Sequence, residues 1–338
     1  MFVQTKRPTI YDVAKAAGVS ISTVSKVMNG TGSIGKQTII KVKDTMQALD
    51  YHPIATSAVK KGIQTIGLLL PSIADPFSAE IARKIEDYGR KKGFNLIICN
   101  TDNDLKKEKE YIDMLKRKYV DGIIIATGLK SSEAQKELIN QQIPIILLSR
   151  EIPSLAMNSV LVNDFLGAYE ATSYLIKLGH RKIAMITEDV YFSNIQSRLD
   201  GYKQALEEAG IPYEENIVST GNQSFNDAAN AASYLLKEER SLTAIFASTE
   251  PLAIGAMQGV RRHNLQIPKD ISIVGFDNSI LAQMSYPPLT TVAQPIDEMA
   301  RKVIELFLNS LEEKNGVTQR IVLAPKLTIR SSAKEMES

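Results

Sequence analysis

The sequence predicts an N-terminal all-α helix-turn-helix head with a hinge helix, followed by an α/β core of two doubly wound parallel-sheet lobes. Three observations carry this. Residues 9–30, "TIYDVAKAAGVSISTVSKVMNG", read as two short amphipathic helices joined by a glycine. From Thr65 onward, short apolar runs alternate with amphipathic helical stretches, the pattern of parallel sheets covered on both faces. Charge is divided as well: residues 1–62 hold nine basic and three acidic residues, a net +6, while the rest holds 31 basic and 35 acidic, a net −4. A basic small unit on a mildly acidic large one points to a polyanionic partner for the first part alone.

The head begins with Thr9 as N-cap and Asp12 three residues on, a capping-box start. Ile10, Val13, Ala14 and Ala17 follow at helical spacing, and Gly18 supplies the turn. Ser20 caps a second helix that turns Val24, Val27 and Met28 inward and ends at Asn29-Gly30. A third helix near 36–49 puts Ile39, Val42, Met46 and Leu49 on one face. The division expected is a helix-turn-helix unit at 1–50, a hinge at 51–64 and a core at 65–338. In the hinge, Pro53 starts a short helix near 54–59 that is marginal alone at this length.

In the core, strands are predicted at 66–70, 96–99, 123–126, 145–148, 183–186, 244–247 and 271–274. The two lobes divide near 160–163, and the segment near 290–324, a strand entering a helix, crosses back to the first lobe.

Composition narrows the function. No apolar run approaches the roughly 18–20 residues of a membrane span. The first residues, "MFVQTKRPTIYD", lack an apolar signal core. The one cysteine, Cys99, lies in the run "FNLIICN" and reads as a buried structural thiol. A cytoplasmic protein is expected. Gly-x-Ser-x-Gly, P-loop and Gly-x-Gly-x-x-Gly motifs are missing. His52, His180 and His263 are too scattered for a metal site. Neither catalysis nor a metal or cofactor is expected.

In a helix-turn-helix unit the second helix enters the major groove. Ile21, Ser22, Thr23, Ser25 and Lys26 lie on the faces left free by Val24, Val27 and Met28. Hydroxyls and a lysine suit phosphates and bases, and Ile21 suits a thymine methyl or a sugar edge. A generic helical hairpin with a polar exterior is the other reading of the residues alone.

The opening stretch closely resembles the N-terminal signature of the LacI (lactose-repressor-like) family of bacterial transcription regulators. The resemblance runs in order through "ALDYHP", "TIGLLLPSIADPFSAEIARKIEDYGRKKGF", "DGIIIA", "IPIILLSR", "LGHRKIAMI", "SRLDGYKQAL", "ISIVGFDN" and "PPLTTVAQP", from about Thr9 to Ile329. It implies a periplasmic-binding-protein-like core and a double-stranded, pseudo-palindromic DNA operator as partner. It also implies that Ile21, Ser22 and Lys26 read bases, while Thr9, Tyr11, Ser20, Thr23, Ser25 and Asn29 contact phosphates. Lys26 stands where the family usually has arginine, so a point charge replaces a planar fork.

The family's hinge helices pair and wedge a leucine into the minor groove, which kinks the duplex. This hinge is about two residues shorter than the family pattern and has no leucine between Pro53 and Gly62. Val59 is the candidate wedge, with packing against the partner hinge as the alternative.

The resemblance further implies a small-molecule effector between the lobes, a sugar or related metabolite. Phe77, Arg150, Arg198, Gln223 and Asp277 align with effector-binding positions. For Phe77 the alternative is core packing. For Arg198 and Asp277 it is an interlobe ion pair. Thr249-Glu250 replaces the family's usual Asn-Asp. The chain has no tryptophan, so a stacking platform falls to Phe or Tyr. "TIRSSAKEMES" carries no heptads, which leads to the expectation of a homodimer. The expected function is a repressor whose operator affinity a small molecule controls; the alternative is control by a protein corepressor.

Overall fold

The structure, a computed structural model, describes residues 9–29, 31–49, 64–118, 120–128, 143–152, 156–222, 224–312 and 317–336, and the side chain of Asn29 is outside that description. The hinge residue Val59 and the effector candidate Gln223 lie outside the described residues. Two units result, Met1–Gly62 and Ile63–Ser338.

The head holds α1 (Ile10–Ala17), α2 (Ile21–Asn29) and α3 (Lys36–Ala48). Its core is small: Val13, Ala14 and Ala17 of α1 meet Val24 of α2 and Val42 of α3, with Met46 and Leu49 packed beside them. Asp12 closes the start of α1, since its carboxylate accepts from both the N–H and the hydroxyl of Thr9 at 2.7 Å. Gly18 ends α1 in the left-handed region (φ 62), and Val19 N–H returns to Ala14 O at 3.0 Å. The Ser20 hydroxyl accepts Thr23 N–H at 3.0 Å, which opens α2 in a new direction.

The second unit begins with β1 (Gln64–Leu70), α4 (Pro76–Lys91), β2 (Phe94–Asn100), α5 (Leu105–Arg117), β3 (Gly122–Ile125), β4 (Ile145–Leu148) and β5 (Asn158–Val162). It continues with α6 (Asp164–Lys177), β6 (Ile183–Ile186), α7 (Ser193–Glu208), β7 (Val218–Ser219), α8 (Phe225–Glu238), β8 (Ala244–Ala247), α9 (Glu250–Arg262) and β9 (Ser272–Asp277). It closes with α10 (Ile280–Met284), β10 (Thr290–Ala293), α11 (Ile296–Glu312), β11 (Arg320–Leu323) and β12 (Lys326–Thr328).

Two six-stranded sheets form, in the orders β11-β5-β4-β3-β1-β2 and β12-β10-β9-β8-β6-β7. Every pairing is parallel except the last, β10 with β12. Both sheets are doubly wound and change direction beside their first strand, β1 or β6. The crevice at that point, outside the carboxyl ends of the strands, is where such folds take ligands.

Apolar residues on these strands face alternate layers. In the second sheet Ile183, Met185, Ala244 and Phe246 pack under α6 and α7, while Ala184, Ile186, Ile245 and Ala247 pack under α8 and α9. In the first, Leu68, Ile124 and Ile146 face α4 and α11, and Leu69, Ile123 and Ile125 face α5. Period-2 burial on both faces explains why the strands appear as unbroken apolar runs.

The chain passes between lobes three times. α6 leaves the first sheet to cover the second, α11 returns to cover the first, and β11 and β12 then add one strand to each. The α11 docking depends on Gly122, where a Cβ would overlap the Phe307 ring and lie 2.7 Å from Pro144 O.

Candidate functional site

The recognition surface is α2. Val24 is buried, while Ile21, Ser22 and Lys26 are exposed. Thr9, Tyr11 and Ser20 are exposed as well, with Tyr11 at 67%. Thr23 is partly buried and its hydroxyl lies 2.8 Å from that of Ser20, so part of its polar capacity serves the turn. An isoleucine exposed among hydroxyls makes little sense for solubility and good sense for a thymine methyl. The stem of Lys26 lies against the loop after α2: a Cβ on Gly32, itself at φ 80, would sit 3.4 Å from Lys26 Cδ.

In the core, charge gathers at the strand ends. Arg198 projects from α7 and is 3% exposed. Its Nε donates to Asp164 Oδ1 at 2.8 Å, and Nη2 lies 2.8 Å from the same oxygen. Nη1 donates to Ser248 O and stands 3.8 Å from Asp277 Oδ1. The guanidinium also covers the Phe276 ring at 3.5 Å. Three of its five N–H groups are thereby engaged, leaving two.

Asp277 ends β9 at φ 105, and Asn278 follows at φ 66. Such values are uncommon away from glycine, and they turn the chain back at the strand end. Asp277 Oδ1 accepts Gln294 Nε2 at 2.6 Å and Oδ2 accepts Glu250 N–H at 3.2 Å. Burial pushes its carboxyl up to about 7, against the pull of Arg198; the Asp75 charge adds to the rise. Burial raises Asp164 too, with Arg198 again opposing.

These contacts revise the ion-pair alternative for Arg198. The pair exists, yet Asp164, Arg198 and Asp277 all belong to the elements of the second sheet, so it lies within one lobe. The partner missing from the sequence reading, Asp164, opens α6 as its first residue. Its proximity to Arg198 follows from α6 packing on α7, which no local motif announces.

Arg150 follows β4 in the first lobe. Its Nη1 donates to Asn103 Oδ1 at 3.3 Å, and its guanidinium sits 4.0 Å over the ring of Phe192. Burial lowers its pKa, offset by the Glu188 charge. Glu188 is raised by burial, with Arg150 and Arg198 pulling it down and Asp75 pushing it up. Asp75 belongs to the first lobe, where it caps α4 by accepting Ser78 N–H at 2.9 Å. Charges from both lobes therefore face one another across the crevice. Phe77 is partly buried and packs on the first-lobe core. Glu250 turns away from this cluster, accepting Ser279 N–H at 3.1 Å and the Ser279 hydroxyl.

The strand ends also carry buried hydroxyls without a hydrogen-bond partner: Thr127, Ser149, Thr187 and Ser248, together with Thr249. Buried polar groups are rarely left so unless something else completes them. The largest surface groove, about 450 Å³ between Ser219 and Tyr234, lies on α8 and the edge of β7, and none of the charged residues above lines it. Electrostatics and unpartnered hydroxyls, rather than groove volume, mark the crevice.

The sequence pattern of the bacterial regulatory proteins of the lacI family matches residues 9–53, and that of the periplasmic binding protein-like domain matches residues 172–333. The HTH-type transcriptional regulator DegA of Bacillus subtilis (strain 168) is 43% identical over 337 residues, covering 98% of this chain and 100% of DegA. A LacI family transcriptional regulator from Enterococcus faecium with bound ribose superposes with a TM-score of 0.74 at 33% identity, over 81% of this chain and all of that one. The lac repressor dimer bound to operator and the anti-inducer ONPF superposes with a TM-score of 0.76 at 25% identity, over 97% of this chain and 100% of that one. A reading head with its recognition helix exposed, a two-lobed core and relatives matched end to end lead to one conclusion: this chain belongs to the LacI family of DNA-binding bacterial transcription regulators.

Proposed function

We propose that this regulator is a cytoplasmic, homodimeric repressor whose hold on a pseudo-palindromic operator is set by a sugar or related metabolite bound between its lobes. The observation that carries the effector half is the buried Arg198–Asp164–Asp277 cluster, with two N–H groups of Arg198 still free and unpartnered hydroxyls at the neighbouring strand ends. Arginine and carboxylate side by side donate to and accept from vicinal hydroxyls, which suits a sugar. The ribose in the Enterococcus faecium relative agrees with this chemistry.

In this reading Ile21, Ser22 and Lys26 meet base edges, and Thr9, Tyr11, Ser20, Thr23, Ser25 and Asn29 hold phosphates. Val59 of the hinge enters the minor groove or packs on its partner hinge. Phe77, Gln223 and Arg150 complete the effector surroundings. The dimer uses the apolar face of α9 and α10, where Ile254, Met257, Leu281, Met284 and Tyr286 line a groove of about 210 Å³. Ile280, Met284 and Tyr286 are all more than half exposed there, which suits a buried contact with a second copy. Closing the lobes shifts this contact and the hinges, and by linkage DNA alters effector affinity by the same factor.

The test has two arms. Operators selected from random DNA by the full chain are titrated between low and moderate salt; affinity falls steeply if Lys and Arg displace counterions from phosphates. A flat response removes the phosphate-contact assignment. Calorimetry against sugars, sugar acids and purines, with and without operator, then measures the coupling. Operator affinity indifferent to every small molecule would hand control to a protein corepressor instead.

A further inference from the structure

Phe192 belongs to the second lobe: it is the N-cap of α7, a few residues past the end of β6. Its ring, however, rests on the first lobe. A Cβ built on Gly128, which follows β3, would overlap the ring edge and lie 2.6 Å from Phe192 Cδ1. The same position is 3.2 Å from Arg150 Nη1, and the Arg150 guanidinium covers the ring at 4.0 Å. The next residue, Ser193, accepts Glu151 N–H at 3.0 Å, a second tie between the lobes. Gly128, Arg150 and Phe192 all follow strands at their carboxyl ends, within the crevice.

The polar groups of the crevice thus form two ends. At one, Arg198 and Asp277 offer free donors and acceptors. At the other, Arg150 has one long hydrogen bond, to Asn103, and a protein ring lies against its guanidinium face. A guanidinium with spare donors beside an amide and an open glycine is the chemistry of a second sugar subsite. Here an aromatic side chain fills it.

We propose that Phe192 sets the size of the effector: it closes the Arg150 end of the crevice and restricts the site to a single sugar ring held at the Arg198 end. Gly128 is the matching residue, because only a position without Cβ lets the ring seat and the lobes meet. This rests on the effector reading above, and the experiment separates the two.

The test is calorimetry of the full chain with ribose, xylose, glucose and cellobiose. The wild type is expected to bind one of the three monosaccharides and to bind cellobiose at least roughly tenfold more weakly, the discrimination a filled pocket provides. Phe192→Ala is expected to gain cellobiose affinity at least roughly tenfold, with Phe192→Leu intermediate and close to wild type in stability. Gly128→Ala is expected to weaken monosaccharide binding in the wild-type background and to have little effect in the Phe192→Ala background, since the overlap it creates is with that ring. Failure of both Phe192 variants to gain cellobiose, or equal damage by Gly128→Ala in both backgrounds, overturns the inference. Wild-type protein binding cellobiose as tightly as the monosaccharides overturns the size limit and leaves the effector site standing. No sugar bound by any of the proteins overturns the effector reading itself.

Discussion

Arg198 and Asp164 share a single oxygen: Nε donates to Asp164 Oδ1 at 2.8 Å and Nη2 lies 2.8 Å from it. The pair is almost fully withdrawn from water, with Arg198 at 3% and Asp164 at 7% exposure. Removing one member of a buried pair strands the other charge. Asp164→Ala is therefore expected to destabilise the core by about 3–5 kcal/mol, the usual cost of an uncompensated buried ion. The exposed Asp200→Ala on the same helix serves as the control and is expected to leave stability nearly unchanged. Urea unfolding monitored by circular dichroism decides; equal midpoints for the two variants would show that Asp277 alone holds the guanidinium.

Asp277 predicts a pH dependence with a definite sign. Its carboxyl is pushed up to about 7 in the folded chain, chiefly by burial, from an unfolded value near 4. Between those values the native state keeps a proton that the unfolded state has lost. Stability from this group is complete below the unfolded pKa and is lost as pH rises through about 7. Asp277→Asn cannot ionise, so its stability relative to wild type should improve from pH 5 to pH 8, by on the order of 2 kcal/mol. Denaturation of both proteins at the two pH values measures the difference. A constant difference across that range would place the titration elsewhere.

Local pattern revealed more of the fold than of the site. The strand at 183–186 and the cap at Ser20 are visible because their causes are local: an apolar run between turns, and a hydroxyl three residues before an orphan N–H. Strand ends shift by a residue or two, as with β9, expected at 271–274 and found at Ser272–Asp277, because its last residues adopt strand geometry while carrying polar side chains. Asp164 and Phe192 were invisible for a different reason. Each acquires its role from an element distant in sequence, Asp164 from α7 and Phe192 from Gly128 and Arg150. Glu250 is visible as an unusual residue, but only the fold shows that it bonds Ser279.

Gly122 tests the return of the chain to the first lobe. Its hydrogen faces the Phe307 ring, which meets Phe94 edge-on with centroids 5.3 Å apart. Gly122→Ala forces overlap with that ring and with Pro144 O, so α11 must lift from the sheet. A loss of about 1–3 kcal/mol is expected, the usual cost of overpacking a filled core. Phe307→Ala, which leaves a cavity instead, should cost about 3–5 kcal/mol. If the double variant is less destabilised than the sum of the two, the clash between these residues is the cause.

Lys26 is the point at which the reading head departs from its family, and it yields the sharpest prediction about DNA. It is exposed on α2 with its stem laid along the loop at Gly32, so its ammonium reaches outward on a supported chain. A lysine donates to guanine O6 or N7 as a point charge, whereas an arginine spans both. Lys26→Ala should relax base preference at one position in each half-site by about 1–3 kcal/mol. Lys26→Arg should restore that position and sharpen it toward guanine, because the planar fork satisfies two acceptors together. Binding to a panel of operators altered one base pair at a time measures both variants. A uniform loss of affinity across the panel for Lys26→Ala would make Lys26 a phosphate contact, and base reading would then fall to Ile21 and Ser22.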